Sequence, residues 1–323
     1  MAFDFDNFTT ALRRHPIIYG FLAIYLSYRI WPSKQRRSSR ELALQYASKG
    51  ARLCLVGRRE TKLVQLAEEC RSLCQSNPMA KAAMGDGDDR VLVETADVTV
   101  VDDIISLRTK ILEAWRGFDT LVVCAGVGTL KPCLELAGVE SSSDGTSLHR
   151  VENAGIEHVV EIANRALGPN YLGPLIAAVT FIPLLTSTSA SPSIMLMSTL
   201  AAVIPAPTAS LYCASKSASL LLYQTLAIEN PAVAFTCILP STVRGQAFFD
   251  AAIDGGSLRP GAADPNQFGS TPEDVAKRSI EAVDRGEKLV LIPGRAYIAR
   301  ALYWIAPALV ERFARKRYNY PPL

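Results

Sequence analysis

Between residues 39 and 292 the chain alternates two patterns. Short runs that are apolar at almost every position are separated by longer stretches with apolar residues at helical spacing. The runs Arg52–Val56, Val91–Ala96, Thr120–Cys124, Ile194–Met197, Val233–Leu239 and Lys288–Ile292 predict strands. The stretches Ser39–Ser48, Thr61–Cys74, Val101–Trp115, Tyr171–Leu185, Leu211–Glu229 and Pro272–Asp284 predict helices. Gly50 closes the first helix, and Thr271 with Pro272 opens the last. Residues 77–89 form a Gly/Asp-rich loop. Residues 128–165 read as irregular, with an exposed loop at Ser141–Gly145. Strands apolar throughout, each followed by a helix, predict a parallel sheet covered on both faces. The expected fold is a doubly wound, Rossmann-like α/β domain without internal repeats.

Both ends of the chain carry apolar stretches outside this alternation. Residues 16–31 are apolar and aromatic, with no charge between His15 and Arg29. The run is shorter than the roughly 20 residues of a spanning helix, and its Tyr and Trp residues suit a membrane interface. Arg13 and Arg14 precede it; Arg29, Lys34, Arg36, Arg37 and Arg40 follow. If it spans, that bias leaves the following domain in the cytosol, and the expected site is the endoplasmic reticulum membrane. A cleaved signal peptide or a buried strand are the other readings. At the far end, residues 295–318 combine Trp304, Phe313 and several aliphatic residues with Arg295, Arg300, Arg312, Arg315, Lys316 and Arg317. Such a basic helix suits either an interfacial anchor or a terminal helix packed on the domain or a second subunit, kinked at Pro307. The expected division is a tail and anchor over 1–40, a catalytic domain over 41–294, and a basic helix over 295–323.

Composition narrows the partners. Of 323 residues 49% are hydrophobic and 20% charged, which excludes a disordered chain. Lys and Arg number 34 against 31 Asp and Glu, so nucleic-acid binding has no electrostatic basis. The excess basic charge sits beside the two apolar ends, where a membrane surface is the expected partner. The seven cysteines, mostly in apolar runs, read as reduced core thiols. With three histidines in the chain, no metal site is expected.

The residues that carry chemistry are Tyr212 and Lys216, with Ser198 and Thr199 at the end of a preceding strand and Asn170 further back. Positions i and i+4 share a helix face, so the phenol and the ammonium point the same way. A phenol with a pKa of about 10 is a poor acid or base at neutral pH, and a nearby ammonium stabilises the phenolate. An adjacent hydroxyl can hold a carbonyl or alkoxide oxygen. The set suits interconversion of ketones and alcohols with hydride from a cofactor.

On these residues the chain resembles the classical short-chain dehydrogenase/reductase family, from about Glu41 to Gly294. The resemblance implies that Tyr212 is the acid/base, that Lys216 lowers its pKa and holds the nicotinamide ribose, and that Asn170 supports a water relay. It places Thr199 where the family has serine, with Ser198 one residue earlier, so either hydroxyl could serve. Arg58 and Arg59, after the second family strand, suit the 2′-phosphate of NADP better than the free hydroxyl of NAD. Asp97 matches an adenine contact. Ala125 and Gly126 follow Cys124 where the family has Asn-Asn-Ala-Gly, and Pro240, Thr242 and Val243 stand in the segment that lies over the nicotinamide.

One family feature has no counterpart. The glycine-rich turn Thr-Gly-x-x-x-Gly-x-Gly, which admits the pyrophosphate at a helix N-terminus, is missing: no glycine occurs between Gly20 and Gly50. Three readings follow. A segment including the first strand has been lost; residues 17–28 enter the sheet as a substitute strand, removing the anchor; or the chain folds as a non-catalytic relative. The first is preferred. The expected function is an NADP-dependent, membrane-associated oxidoreductase acting on a small lipophilic ketone or secondary alcohol. The alternative is a catalytically impaired, membrane-associated binding or scaffold protein. Dimerisation is expected through the helix bearing Tyr212, from Leu220, Leu221, Leu222 and Leu226.

Overall fold

The computed structural model describes residues 20–24, 38–78, 90–139, 151–245 and 252–320. In order, its elements are β1 (Gly20–Ile24), α1 (Ser38–Ser48), β2 (Arg52–Gly57), α2 (Glu60–Ser76), β3 (Val91–Thr95), α3 (Val101–Trp115) and β4 (Thr120–Val123). There follow α4 (Cys133–Leu136), α5 (Asn153–Leu167), α6 (Gly173–Thr188), β5 (Ser193–Met197), α7 (Ser210–Glu229) and β6 (Ala234–Pro240). The last are α8 (Pro265–Phe268), α9 (Pro272–Asp284), β7 (Leu289–Ile292), α10 (Ala296–Ile305) and α11 (Pro307–Arg317).

The seven strands form one sheet in the order β3-β2-β1-β4-β5-β6-β7. Every pairing is parallel. This is the doubly wound architecture that the sequence predicts. The order reverses between β1 and β4, and the C-terminal ends of the strands beside such a switch point are where this architecture binds ligands.

The centre of the sheet corrects the preferred reading of the N-terminal segment. Gly20–Ile24 fills the position of the first strand, in register from Gly20↔Arg52 to Ile24↔Val56 on one side and from Phe21↔Thr120 to Ile24↔Val123 on the other. The strand is present because residues within the apolar run supply it, as the substitution reading required. The remainder of residues 1–37 lies outside the described residues, and so does the predicted loop at Ser141–Gly145.

Strands that look uniformly apolar in sequence divide their side chains between two cores by alternation. Cys54, Val56, Leu121, Val123, Ile194, Leu196, Cys237 and Leu239 join one core with Phe181 and Tyr223. Leu53, Leu55, Val122, Met195, Ile238 and Val290 join the other with Leu42, Leu63, Val275 and Ile280. The Tyr223 hydroxyl donates to the Pro174 carbonyl at 2.9 Å, which satisfies its one polar atom.

The expectation of irregular structure over 128–165 is corrected by α4 and α5. Helix α5 places Ile162 and Ala166 inside and leaves Ile156 and Val160 half exposed, so its apolar positions mark no single buried stripe. It runs into α6 through a π-helical turn at Gly168–Leu172, where glycine and proline would ordinarily mark an end. Asn153–Thr188 is long and apolar enough to cross a membrane by length and composition. Its Ala178, Phe181 and Leu185 are packed in the first core. The predicted C-terminal helix is two helices, divided at Ala306 and Pro307. A proline cannot continue a helix but starts one well.

Candidate active site

Helix α7 delivers Tyr212 and Lys216 to the C-terminal end of the sheet. The helix is anchored at its start by Thr129, whose hydroxyl accepts a hydrogen bond from the Tyr212 backbone N–H at 3.0 Å. The phenol of Tyr212 is hydrogen-bonded to Thr199. Burial pushes that phenol well above its ordinary pKa; the Thr199 bond eases the rise, and Cys213 and Tyr318 add to it. Of the two hydroxyls that the sequence left open, Thr199 is therefore the one engaged with Tyr212. It also caps the turn that follows, accepting from the Ala201 N–H at 3.2 Å. The Ser198 hydroxyl is buried, has no hydrogen-bond partner among the described residues, and lines the same cavity.

Lys216 is fully enclosed, and burial lowers its pKa to about 8, opposed by Cys124. Its ammonium donates to the carbonyl oxygens of Ala125, just past β4, at 3.1 Å and Met197, the last residue of β5, at 3.3 Å. The resemblance makes this ammonium the main influence on the Tyr212 phenol. In the structure the influences on that phenol are burial, Thr199, Cys213 and Tyr318, and the ammonium donates to the two carbonyls.

Asn170 sits in the π-helical turn, completely buried. Its Oδ1 accepts from the Val127 N–H at 2.8 Å, and its Nδ2 donates to the Val127 carbonyl at 3.0 Å and the Ser215 hydroxyl at 2.9 Å. The side chain thus clamps the strand that leaves β4 onto α7. Gly126 passes between Asn170 and Lys216. A Cβ there would lie 2.9 Å from Asn170 Oδ1 and 3.0 Å from Lys216 Nζ, so the glycine is required for this approach.

About the end of β2 lies the second group of predicted residues. Arg58 Nη1 reaches Asp97 Oδ2 at 3.2 Å. The other carboxylate oxygen accepts from the Thr99 N–H at 3.0 Å and from its hydroxyl at 2.7 Å. Burial alone would raise the Asp97 pKa, but the Thr99 hydrogen bonds and the Arg58 guanidinium hold it below the ordinary carboxylate range. Arg58, Asp97 and Thr99 line a hollow of about 210 Å³ with Asn164, Arg165 and Gly168. Arg59 stands at the start of α2, its carbonyl accepting from Lys62 and Leu63.

A larger cavity of about 360 Å³ opens at Tyr212. Ser198, Thr199 and Tyr212 give it a polar inner end; Leu130, Leu200, Ile204, Val243 and Phe313 make its walls apolar. Pro240, Thr242 and Val243 line it where the chain leaves β6. Two contributors were not found from the sequence. Asp254 is buried and accepts from the N–H groups of Leu130 at 2.6 Å, Lys131 at 2.8 Å and Gly256 at 2.9 Å, fixing the cavity mouth. The run Asp254-Gly-Gly is its local signal in the sequence. Helix α11 and the residues after it supply Val310, Phe313, Ala314, Arg317 and Tyr318, which nothing in their spacing joined to Tyr212.

Arg58 and Asp97 are the residues that could hold the adenosine end of a nicotinamide dinucleotide, and Lys216, Gly126 and Thr242 those that could hold its nicotinamide end. The pyrophosphate turn does not fit the family pattern, because the joint between Ile24 and Ser38 carries no glycine.

The model of the short chain dehydrogenase family matches residues 39–251. The chain is 28% identical over 282 residues to the 11-beta-hydroxysteroid dehydrogenase-like 4A of Arabidopsis thaliana, covering 85% of this chain and 78% of the relative. It is 27% identical over 282 residues to the dehydrogenase/reductase SDR family member 7B of Xenopus tropicalis, covering 86% and 81%. Among solved structures, a short chain dehydrogenase/reductase from Burkholderia phymatum in complex with NAD superposes with a TM-score of 0.66 at 19% identity, covering 95% of this chain and 98% of that one. An alcohol dehydrogenase from the archaeon Thermococcus sibiricus, complexed with 5-hydroxy-NADP, superposes with a TM-score of 0.59 at 17% identity over 85% and 95%.

Proposed function

Because the chain belongs to the short-chain dehydrogenase family, we propose that it is an NADP-dependent oxidoreductase interconverting a small lipophilic ketone and its secondary alcohol. The observation that carries this reading is a phenol bonded to a threonine hydroxyl at the inner end of an otherwise apolar cavity. A neutral, largely apolar molecule with one carbonyl oxygen matches that distribution. The hydroxysteroid dehydrogenase names of plant relatives support the same substrate class. A bound nicotinamide dinucleotide would supply or take up the hydride. In the direction of reduction, Tyr212 gives its proton to the oxygen, while the hydroxyls of Thr199 and Ser198 hold that oxygen in place. Lys216, by fastening the chain beyond β4 to the end of β5, fixes the floor under the reacting carbon. Arg58 and Arg59 favour the 2′-phosphate of NADP over NAD.

The test is oxidation of NADPH by the purified full chain across a panel of lipophilic carbonyl compounds. Turnover with preference for NADPH over NADH is expected; no oxidation with any of them overturns the reading. One observation favours a second reading, a cofactor-free binding or scaffold protein: the glycine-free joint at the pyrophosphate position. Micromolar binding of NADPH in a fluorescence titration would dismiss it.

Two associations accompany the proposal. Ile298, Trp304, Ile305 and Phe313 are exposed on α10 and α11 beside Arg295, Arg312 and Arg315, which supports docking on an anionic membrane, with the endoplasmic reticulum facing the cytosol as the proposed site. On α7, Leu220 is buried and Leu222 and Leu226 pack on the core, while Leu221 and Ile228 are exposed with Ile156 and Val160 of α5. That apolar strip supports a homodimer.

A further inference from the structure

The end of α11 and the residues that follow it are fastened to the segments over the substrate cavity by contacts of four kinds. Arg317 Nη2 donates to the Thr242 hydroxyl at 2.8 Å, tying the arm to the segment after β6. The Arg317 carbonyl accepts from the Ala263 N–H at 2.9 Å. Asn319, in the left-handed backbone region at φ 48°, donates from Nδ2 to the Pro260 carbonyl at 2.8 Å. The Arg259 guanidinium lies 5.0 Å from the centre of the Tyr320 ring, within range for a cation–π contact. These contacts hold Tyr318 in the cavity wall with Tyr212. The two phenols are close enough that a charge on Tyr318 raises the pKa of Tyr212.

We propose that the arm Arg317–Tyr320 is the outer wall of the substrate cavity and that Tyr318 is a specificity-determining residue, its ring packing on the body of an apolar carbonyl substrate. The proposal rests on the cavity being an oxidoreductase site, as argued above, and adds a wall that no family motif supplies. A fixed ring on that side favours a broad, rigid apolar body, which covers the ring, over a small ketone, which leaves part of it facing water. Its dependence on Arg317 is structural: without the side-chain bond to Thr242, the backbone from which Tyr318 projects loses an anchor.

The test compares the full chain with Tyr318→Ala, Tyr318→Phe and Arg317→Ala, using cyclohexanone, 2-decanone and androstenedione. NADPH oxidation gives KM and kcat, and equilibrium dialysis gives androstenedione binding without need of turnover. In Tyr318→Ala the preference for androstenedione over cyclohexanone is expected to fall at least about tenfold, through KM more than kcat. Tyr318→Phe is expected to restore that preference. Arg317→Ala is expected to raise hydrogen exchange at the Ala263 amide at least about tenfold while exchange in β5 is unaltered. Weaker androstenedione binding by Tyr318→Ala without turnover in any form supports the wall and overturns the oxidoreductase reading. Turnover or binding that Tyr318→Ala leaves unaltered overturns the wall, as does failure of the unsubstituted chain to bind any of the three compounds.

Discussion

The two halves of this sheet are built to different standards at the same end. Beyond β4, β5 and β6 most of the groups proposed to act around a reacting carbonyl are fixed by specific bonds: Thr199 on Tyr212, Lys216 on two carbonyls, Asn170 on Val127 and Ser215. Beyond β2 the described residues include the Arg58–Asp97 pair, and the sequence between β1 and α1, where the family's pyrophosphate turn falls, has no glycine. Side chains such as Arg36 and Arg37 can attract phosphate, but they do not reproduce a ring of backbone N–H groups. The difference separates two questions that a family match merges. Whether the chemistry is intact is a question about α7 and β5; whether cofactor is held is a question about the first βα joint.

The largest effect tests the complete half. Tyr212→Phe removes the only proton that the phenol can give and leaves the ring, so carbonyl reduction should fall about 10³-fold with NADPH affinity retained. Steady-state kinetics beside a fluorescence titration of NADPH checks both. Equal rates for the two proteins would mean that Tyr212 is not the proton donor, and the contrast between the halves would lose its first member.

Next comes the mouth of that half. Asp254→Ala strips a buried acceptor from three backbone N–H groups, those of Leu130, Lys131 and Gly256. Buried donors without partners are costly, and a loss of about 2–4 kcal/mol in urea unfolding is expected. An unaltered midpoint would show that the mouth is held by the remaining contacts.

The alternating pattern was enough to read the architecture, because a strand buried on both faces has to be apolar at nearly every position. Tyr212 and Lys216 were legible from their spacing on one helix, and Asn170 and Arg58 through the resemblance to the family; the fold brings the elements that carry them to one edge of the sheet. Gly20–Ile24 was harder to place, since a central strand and the middle of a membrane anchor share one composition; its neighbours in the sheet, not its residues, decide between them. Tyr318 and Asp254 were missed because their roles come from long-range contacts. Asp254 reaches Leu130 across 124 positions, and no local pattern encodes that separation.

A smaller effect concerns the incomplete half. Arg58→Ala removes a guanidinium suited to a 2′-phosphate, so NADPH should bind about tenfold more weakly while NADH is held as before. The measurement is a pair of titrations. Equal weakening of both dinucleotides would place Arg58 on a part that they share, and the NADP assignment would fall with it.

The smallest effect turns on the ammonium at the junction of the halves. Lys216 titrates near 8 in the folded chain and near 10.4 when unfolded. Below pH 8 both states carry the proton, and the cost of burying the charge is present in full. From about pH 8 to 10.4 the unfolded chain holds more protons than the folded one, so this residue's contribution to stability rises with pH, by at most about 1.4 kcal/mol per unit. The thiols of Cys54, Cys70 and Cys237, pushed up to about 12 by burial, act in the opposite sense. They stay neutral when folded and ionise in the unfolded chain from about pH 8.5, so total stability falls there. Comparison with Lys216→Met removes the effect of those three thiols, which both proteins share. Unfolding free energies of the pair, measured from pH 7 to 10, should show the unsubstituted protein gaining on the methionine variant as pH rises. A gap independent of pH would mean that the ammonium is as well solvated as in water. It would then be free to turn from the Ala125 and Met197 carbonyls toward a cofactor at little cost.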